Sequence, residues 1–255
     1  MTRHTIHKGG LTFLLALAAV TTLRAQNDKE KPAIYTYISQ WTVPRAQWGE
    51  FLKSDDDEKS LLDKLVADGT IIGYGSFVNL IHQEGEPTHG SWLTATSEGH
   101  LAKALEAEWA RPGLTNPALA ASRHWDYVLQ SRIYNSRSGS WSGGYLSGSE
   151  WYVQPGAMRD FNEVEKNTFV PVFEKLLADG VVTSYGMDTE DFHTQKIGLA
   201  VFHFTVPDAD GLDKVDKALD EAFDKSPTIG PAFRSLVERE GHRDFLDRVR
   251  VMTNK

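Results

Sequence analysis

The chain has 255 residues, no cysteine, and 35 acidic against 27 basic side chains, for a net charge of −8. That excludes a disulfide framework and cysteine nucleophiles, and no basic run is long enough to neutralise several phosphates, so nucleic acid is not an expected partner. The length suffices for two domains of about 100 residues each.

Residues 1–25 carry Arg3 and Lys8, an apolar stretch from Leu11 to Val20, and the break Leu23-Arg24-Ala25. A basic start, an apolar segment of roughly 10 to 13 residues and a small residue at the break describe an export signal, shorter than the roughly 20 residues of a membrane span. An uncleaved anchor is the alternative reading. Cleavage would remove three basic groups and no acidic ones, taking the net charge from −8 to −11. So acidic a chain disfavours anionic membranes. The expected location is periplasmic or secreted, without stable membrane association after cleavage. Residues 26–32 are polar and predict a disordered lead-in.

From residue 33 the apolar periods follow one order. Ile34 to Val43 alternates, with Tyr35, Tyr37, Ser39 and Trp41 on one face, and predicts a strand. Trp48, Phe51, Leu62, Leu65 and Val66 recur at helical spacing up to Gly69, where a left-handed cap residue ends a helix without a Cβ clash. The run Asp55-Asp56-Asp57-Glu58 falls inside that helix and reads as a solvated face or a local break. Strands are predicted from Thr70 to His82 and from Gly90 to Thr96, joined by a polar loop in which His89 reads as a surface residue. A shorter helix carries Leu101, Leu105 and Trp109. Pro112 and Pro117 break the chain before a short helical turn, and a strand from His124 to Tyr134 closes the unit.

Residues 135–144 are Gly/Ser-rich and read as a linker, about 35 Å at full stretch. The order then returns. A strand over 145–153 is followed by a helix with Phe161, Val164, Phe173, Leu176 and Leu177, ending at Gly180, with Glu163-Val-Glu165-Lys166 standing where the acidic run stood. Strands follow from Val181 to His193 and Lys196 to Val206, then a helix with Leu212, Leu219 and Phe223, breaks at Pro227 and Pro231, and a strand from His242 to Met252. The repetition is nearly literal: Asp63-Lys-Leu-Val-Ala-Asp-Gly69 with Tyr74-Gly75 reappears as Glu174-Lys-Leu-Leu-Ala-Asp-Gly180 with Tyr185-Gly186, 111 residues on. Such a repeat predicts two copies of one β-α-β-β-α-β unit, residues 33–134 and 145–255.

That order with antiparallel pairing is the ferredoxin-like plait, and the doubled chain resembles the dimeric α/β-barrel superfamily. The resemblance implies an α+β fold in which two tandem ferredoxin-like repeats form a pseudo-dimeric barrel within one chain, with helices outside and a pocket beside each sheet. Members include cofactor-independent monooxygenases, haem-degrading enzymes, isomerases and the haem-binding chlorite dismutase group, so the chemistry stays open.

Both closing strands read His-x-Asp-aromatic-aliphatic-x-x-x-Arg: His124, Asp126, Tyr127 and Arg132, then His242, Asp244, Phe245 and Arg250. A strand period of two puts His, Asp and Arg on one face. A carboxylate two residues from an imidazole can hold its N–H and raise its basicity, which makes His124, Asp126, His242 and Asp244 the candidates for catalysis. The other reading is that His and Asp orient a strand entrance while Arg pairs with an acidic helix residue. Candidates for ligand binding are Trp41, Tyr74, His82, Trp92 and Arg132, with Trp151, Tyr185, His193 and Arg250 in the second copy. Trp92 aligns with Phe202. Paired aromatics on sheets are core residues or, around a cavity, walls for a flat apolar ligand. Trp92 with His100 is similar to the Trp and His of the haem-degrading members, whose Asn on the first strand is absent here, with Gln40 and Glu150 nearby.

No HExxH, phosphate-cradling loop or GxSxG motif is present, and neither a metal nor a cofactor is expected. The functional expectation is an exported barrel that binds, and in a catalytic version converts, a small apolar or aromatic molecule as a cofactor-independent oxygenase or isomerase. The alternatives are a non-catalytic periplasmic binding or scaffold protein, and a haem-binding or haem-degrading protein. Whether the chain is an enzyme is left open by the sequence.

Overall fold

In the first strand, β1 (Ile34–Thr42), Ile34, Thr36, Ile38 and Gln40 face one side and Tyr35, Tyr37, Ser39 and Trp41 the other. This alternation decides the architecture, because the two sides meet different things. The computed structural model describes residues 31–111, 116–194 and 196–255. The expected export signal, most of the lead-in and Pro112 lie outside the described residues.

After β1 come helix α1 (Trp48–Asp68), β2 (Gly73–Asn79), β3 (His89–Ala95), α2 (Glu98–Trp109), the short α3 (Pro117–Ala121) and β4 (Arg123–Ser136). A short β5 (Gly139–Ser142) precedes β6 (Tyr145–Tyr152), and α4 (Met158–Val164) and α5 (Val170–Ala178) follow, joined by a π-helical turn over Glu165–Phe169. The chain ends with β7 (Ser184–Phe192), β8 (Leu199–Val206), α6 (Ala209–Lys225), α7 (Ile229–Leu236) and β9 (Arg243–Asn254). Both long helices end where expected, with Gly69 and Gly180 at φ 83° and 76°, a left-handed conformation that only glycine adopts without strain.

The strands run β2-β3-β1-β4-β7-β8-β6-β9, every pairing is antiparallel, and β9 pairs back onto β2. Eight strands therefore close into a barrel with the helices outside. The inward set of β1 faces the lumen, and its outward set packs under α1 and α2. The two larger apolar cores between sheet and helices centre on Ile71, Tyr74 and Leu101 in one half and Phe173, Val182 and Val215 in the other. A third lies inside the barrel, around Tyr127, Leu129, Leu199 and Val201. Each fully buried Ile or Phe contributes about 2 to 3 kcal/mol.

Three expectations are corrected. The Gly/Ser-rich segment is no free linker: Gly139–Ser142 pair with Val251–Asn254, on the same side of β9 that β6 occupies further along. Gly143 and Gly144, at φ 81° and 87°, break what would otherwise be one strand. His89 is not on the surface. β3 starts at His89, opposite Trp41 on β1, and the ring is 1% exposed against Trp48 and Phe51. Trp92 does not correspond to Phe202. Trp92 lies across from Gly75 inside the barrel, just as His203 lies across from Gly186, while Phe202 faces the helices. A Cβ on Gly75 would stand 2.2 Å from the Trp92 indole, and one on Gly186 2.4 Å from the His203 ring, so glycine at both sites makes room for a ring from the neighbouring strand.

Candidate functional site: two recesses between sheet and helices

Each half of the barrel has a recess between the helix side of its sheet and the covering helices, and the two differ in chemistry. The first, about 330 Å³, is walled by Tyr37, Ser39, Trp41 and His124 from the sheet, Asp55 and Glu58 from α1, and Glu108 and Arg111 at the end of α2. Trp41 stacks on His124 with ring centres 3.8 Å apart. His124 Nε2 lies 2.9 Å from Ser39 Oγ and 2.6 Å from Asp126 Oδ1, and Trp41 Nε1 donates to the same Ser39 hydroxyl at 2.8 Å. The His–Asp pair expected from the closing strand is therefore real, and it is held in place on several sides.

The acidic run in α1 is solvated only in part: Asp56 and Asp57 are exposed, while Asp55 and Glu58 turn inward. Phe51, Asp55, Glu58, Leu62 and Leu65 step by four and three along one helix face, so Asp55 and Glu58 point at the sheet. Asp55 and Asp56 take the guanidinium of Arg250 from the far end of β9, and Arg111 lies 3.5 Å from Glu58. Glu58 and Glu108 face one another within hydrogen-bonding reach. Burial, and then the neighbouring Glu58 charge, push Glu108 up to about 9, so this pair shares a proton at neutral pH. Burial likewise raises Tyr37, with Asp126 beside it adding to the shift.

The second recess, about 520 Å³, is apolar and aromatic. Trp151 and Phe202 line it from the sheet, Phe161 and Phe169 from the α4–α5 segment, and Phe223 and Phe233 from α6 and α7. Trp151 stacks on His242 with ring centres 3.5 Å apart, repeating the Trp41–His124 arrangement. His242 Nε2 stands 3.1 Å from Asp244 Oδ1, which accepts a hydrogen bond from Ser149 Oγ at 2.7 Å. One acid enters this wall. Glu165 is 6% exposed and finds no hydrogen-bond or ion-pair partner among the described residues, and burial, with Asp188 adding to it, pushes its carboxyl up to about 8.

Glu165 is brought inward by the π-helical turn. Pro171 has no N–H to offer the preceding turn, and its ring crowds the carbonyl four residues back, so the helix widens over Glu165–Phe169 before continuing. The buried face then runs Phe161, Glu165, Thr168, Phe173 and Leu176, with one step of five. π-Helical turns are frequent at functional sites.

The remaining sequence candidates fall elsewhere. Tyr74 and Tyr185 are core residues whose hydroxyls donate to Asp63 at 2.6 Å and Glu174 at 2.5 Å. His82 and His193 sit on exposed loops, with His82 6.4 Å from the Trp48 ring. Trp92 lines the lumen. Arg132 is exposed and donates to Gln130 Oε1 at 3.0 Å, and Arg250 is committed to Asp55 and Asp56, the pairing with acidic helix residues weighed above. Of the candidates, the two His–Asp pairs and the two tryptophans stacked on them are brought together. The residues do not fit a haem. Among the described residues no histidine lines the second recess, His124 in the first is engaged by Trp41, Ser39 and Asp126, and His100, on α2 and bonded to Thr96, is separated from Trp92 by the sheet.

No protein-family profile and no curated protein sequence matches the chain. Solved structures do. A Fusobacterium nucleatum protein provisionally named a monooxygenase superposes with a TM-score of 0.64 at 11% identity, over 88% of this chain and 94% of its own. A Lactobacillus acidophilus protein with the same provisional name gives 0.59 at 10% identity, over 88% and 97%. An anthrone oxidase-like protein gives 0.53 at 9% identity, over 88% and 94%. At such identities the likeness shows the fold alone: a mixed α+β chain whose closed antiparallel eight-strand barrel matches the α/β barrels of these neighbours.

Proposed function

We propose that the chain binds a flat, largely apolar aromatic molecule carrying a hydroxyl or carbonyl group, in the aromatic recess of the second half. The observation that carries this reading is Glu165: a buried carboxyl without a hydrogen-bond or ion-pair partner among the described residues, set in a wall of aromatic rings. Rings supply the apolar contact that such a ligand needs, and one polar anchor fixes its orientation. A carboxyl held near pH 8 is protonated when it meets a ligand oxygen and can exchange that proton near neutrality.

The oxygenase names of the structural neighbours support a catalytic version. Glu165 as carboxylate removes a proton from a carbon activated by flanking rings, and the carbanion reduces dioxygen directly. A CH2 becomes C=O, one oxygen atom entering the product and the other leaving as water. The polar side chains around the first recess are engaged in ion pairs with one another, which supports a structural role.

Anthrone is the test compound, titrated under argon for binding and followed by absorbance in air for oxidation. Glu165→Gln is expected to lower turnover by about 100-fold or more, as loss of a general base does, while Phe233→Ala weakens binding. Binding without turnover in the wild type would leave the non-catalytic reading, and absence of both would overturn the assignment.

We also propose that the chain arose by tandem duplication of one ferredoxin-like unit. The paired Tyr–carboxylate bonds, the paired Trp–His stacks and the Gly75/Trp92 and Gly186/His203 pairs support it. Export by residues 1–25 is likewise a proposal, tested by N-terminal sequencing of protein made with its leader in a Gram-negative host; a start near Gln26 is expected, and an intact Met1 in the membrane fraction would refute it.

A further inference from the structure

The lumen of the barrel is a separate space, on the opposite face of the sheet from both recesses. Eight-strand barrels are just wide enough for side chains to fill, yet the small inward residues Thr36, Thr94, Ser131 and Thr205 leave a cavity of about 160 Å³ here. A cavity of about 150 Å³ accommodates a benzene-sized molecule.

Most polar groups inside are used. Asp188 accepts from Ser131 Oγ and lies 2.9 Å from His203 Nε2, and Arg243 reaches out to Glu86 at 2.7 Å. Two are not. Asp247 on β9 is 2% exposed and Asn79, directly opposite on β2, is 6% exposed; each has a buried Oδ1 with no hydrogen-bond partner among the described residues, and both line the cavity. Two buried acceptors side by side without a protein partner each carry a desolvation cost that a donor group entering the cavity would offset. Phe77 and Phe245, two residues away on the same strands and facing the same way, give the cavity aromatic walls beside them.

We propose that the barrel lumen binds a small primary ammonium compound, its N–H groups donated to Asp247 Oδ1 and Asn79 Oδ1 and its apolar body lying against Phe77 and Phe245. An ammonium suits the site because it brings several donors and no acceptor, and because aromatic faces attract cations. A neutral alcohol can satisfy only one acceptor, and a carboxylate brings acceptors and no donor for Asn79 Oδ1. Burial pushes the Asp247 carboxyl up to about 8, with Arg243 lowering it and Glu150 across on β6 raising it. Entry of the cation therefore expels a proton from Asp247 at neutral pH, and affinity rises with pH until the amine itself loses its charge.

The test is calorimetric titration of the full chain with benzylammonium chloride, with benzyl alcohol and sodium benzoate as comparators. Benzylammonium is expected to bind about tenfold or more tightly than either comparator, and Asp247→Asn to remove that preference. Titration at pH 7 in buffers of different ionisation heat is expected to show release of up to about one proton per ammonium bound, a wild-type measurement that stands even if the variant fails to fold. Equal affinity for the alcohol, an unchanged Asp247→Asn variant, or no proton release would each overturn the proposal and leave the two acceptors to bound water. Saturating anthrone should not displace benzylammonium. Displacement would place the amine in the outer recess and sink the lumen site, while anthrone binding alone reports on the outer recess.

Discussion

Single buried carboxyls are the groups on which the proposed ligand binding rests, and their burial is expected to make the fold sensitive to pH. Glu108 is raised to about 9, and Glu165 and Asp247 to about 8, in each case chiefly by burial. A group whose folded pKa exceeds its unfolded value gives stability that is complete below the unfolded pKa and lost as pH rises through the folded one. His89 works in the other direction: burial lowers it to about 4, so the stability it contributes above its unfolded value is lost as pH falls. The melting temperature is therefore expected to peak at about pH 5 to 6 and fall on both sides. Glu165→Gln should flatten the alkaline limb, melting above the wild type at pH 9 by an amount equivalent to roughly 2 to 4 kcal/mol and close to it at pH 5. Equal slopes in the two proteins would show that Glu165 is not the buried acid described. His124→Ala removes one side of a network that joins Ser39, Trp41 and Asp126 and is expected to cost about 1 to 2 kcal/mol, leaving anthrone affinity unchanged. Loss of anthrone binding in that folded variant would return the function to the first recess.

At the scale of elements, a proline sets which acid faces the second recess. α1 runs unbroken from Trp48 to Asp68, while the matching stretch of the second half passes through a π-helical turn ahead of Pro171. Pro171→Ala restores the missing N–H and allows a regular helix. It is expected to keep or raise the melting temperature while weakening anthrone binding about tenfold, because Glu165 and Phe169 turn away from the recess. A variant with unchanged affinity would show that the turn is not what aims Glu165. Here too lies the reason part of the site was legible in the sequence and part was not. His124 with Asp126, and His242 with Asp244, follow from a strand period of two, which survives intact along β4 and β9 over those residues. Asp55, Glu58, Glu108 and Glu165 were hidden because charge suggests solvent. Yet each continues the spacing of its apolar neighbours: Phe51 to Leu62 passes through Asp55 and Glu58, and Leu101 and Ala104 lead on to Glu108. An acid that keeps the phase of a buried stripe is the signal for a recess, since core packing has been given up at that position.

For the whole molecule, the repeat made the order of elements readable, because the same periods and the same glycine caps occur twice. Barrel closure was expected only by resemblance, since no local pattern specifies that β4 will pair with β7 and β9 with β2. Those two seams hold the barrel together. Gly73–Asn79 pair with Asp247–Asn254, and Val128–Ser136 pair with Ser184–Phe192. Lys255 extends the first seam, its backbone N–H bonding to Ile72 O at 2.8 Å and its Nζ to Val66 O at 2.9 Å. A fragment of residues 33–134 would keep its helix-side core but lose both seams and expose its share of the lumen wall, including Ile38, Trp92, Tyr127 and Leu129. Unpaired strand edges and an open apolar face favour association. Purified alone, the fragment is therefore expected to self-associate, either as a dimer that rebuilds an eight-strand barrel or as aggregate, and sedimentation or light scattering will tell which. Residues 145–255 should behave in the same way, and mixing the two fragments should yield a heterodimer that recovers anthrone binding. A soluble, cooperatively melting monomer of either fragment would mean that each half folds without its seams, and that closure of the barrel is docking between two finished domains rather than completion of one.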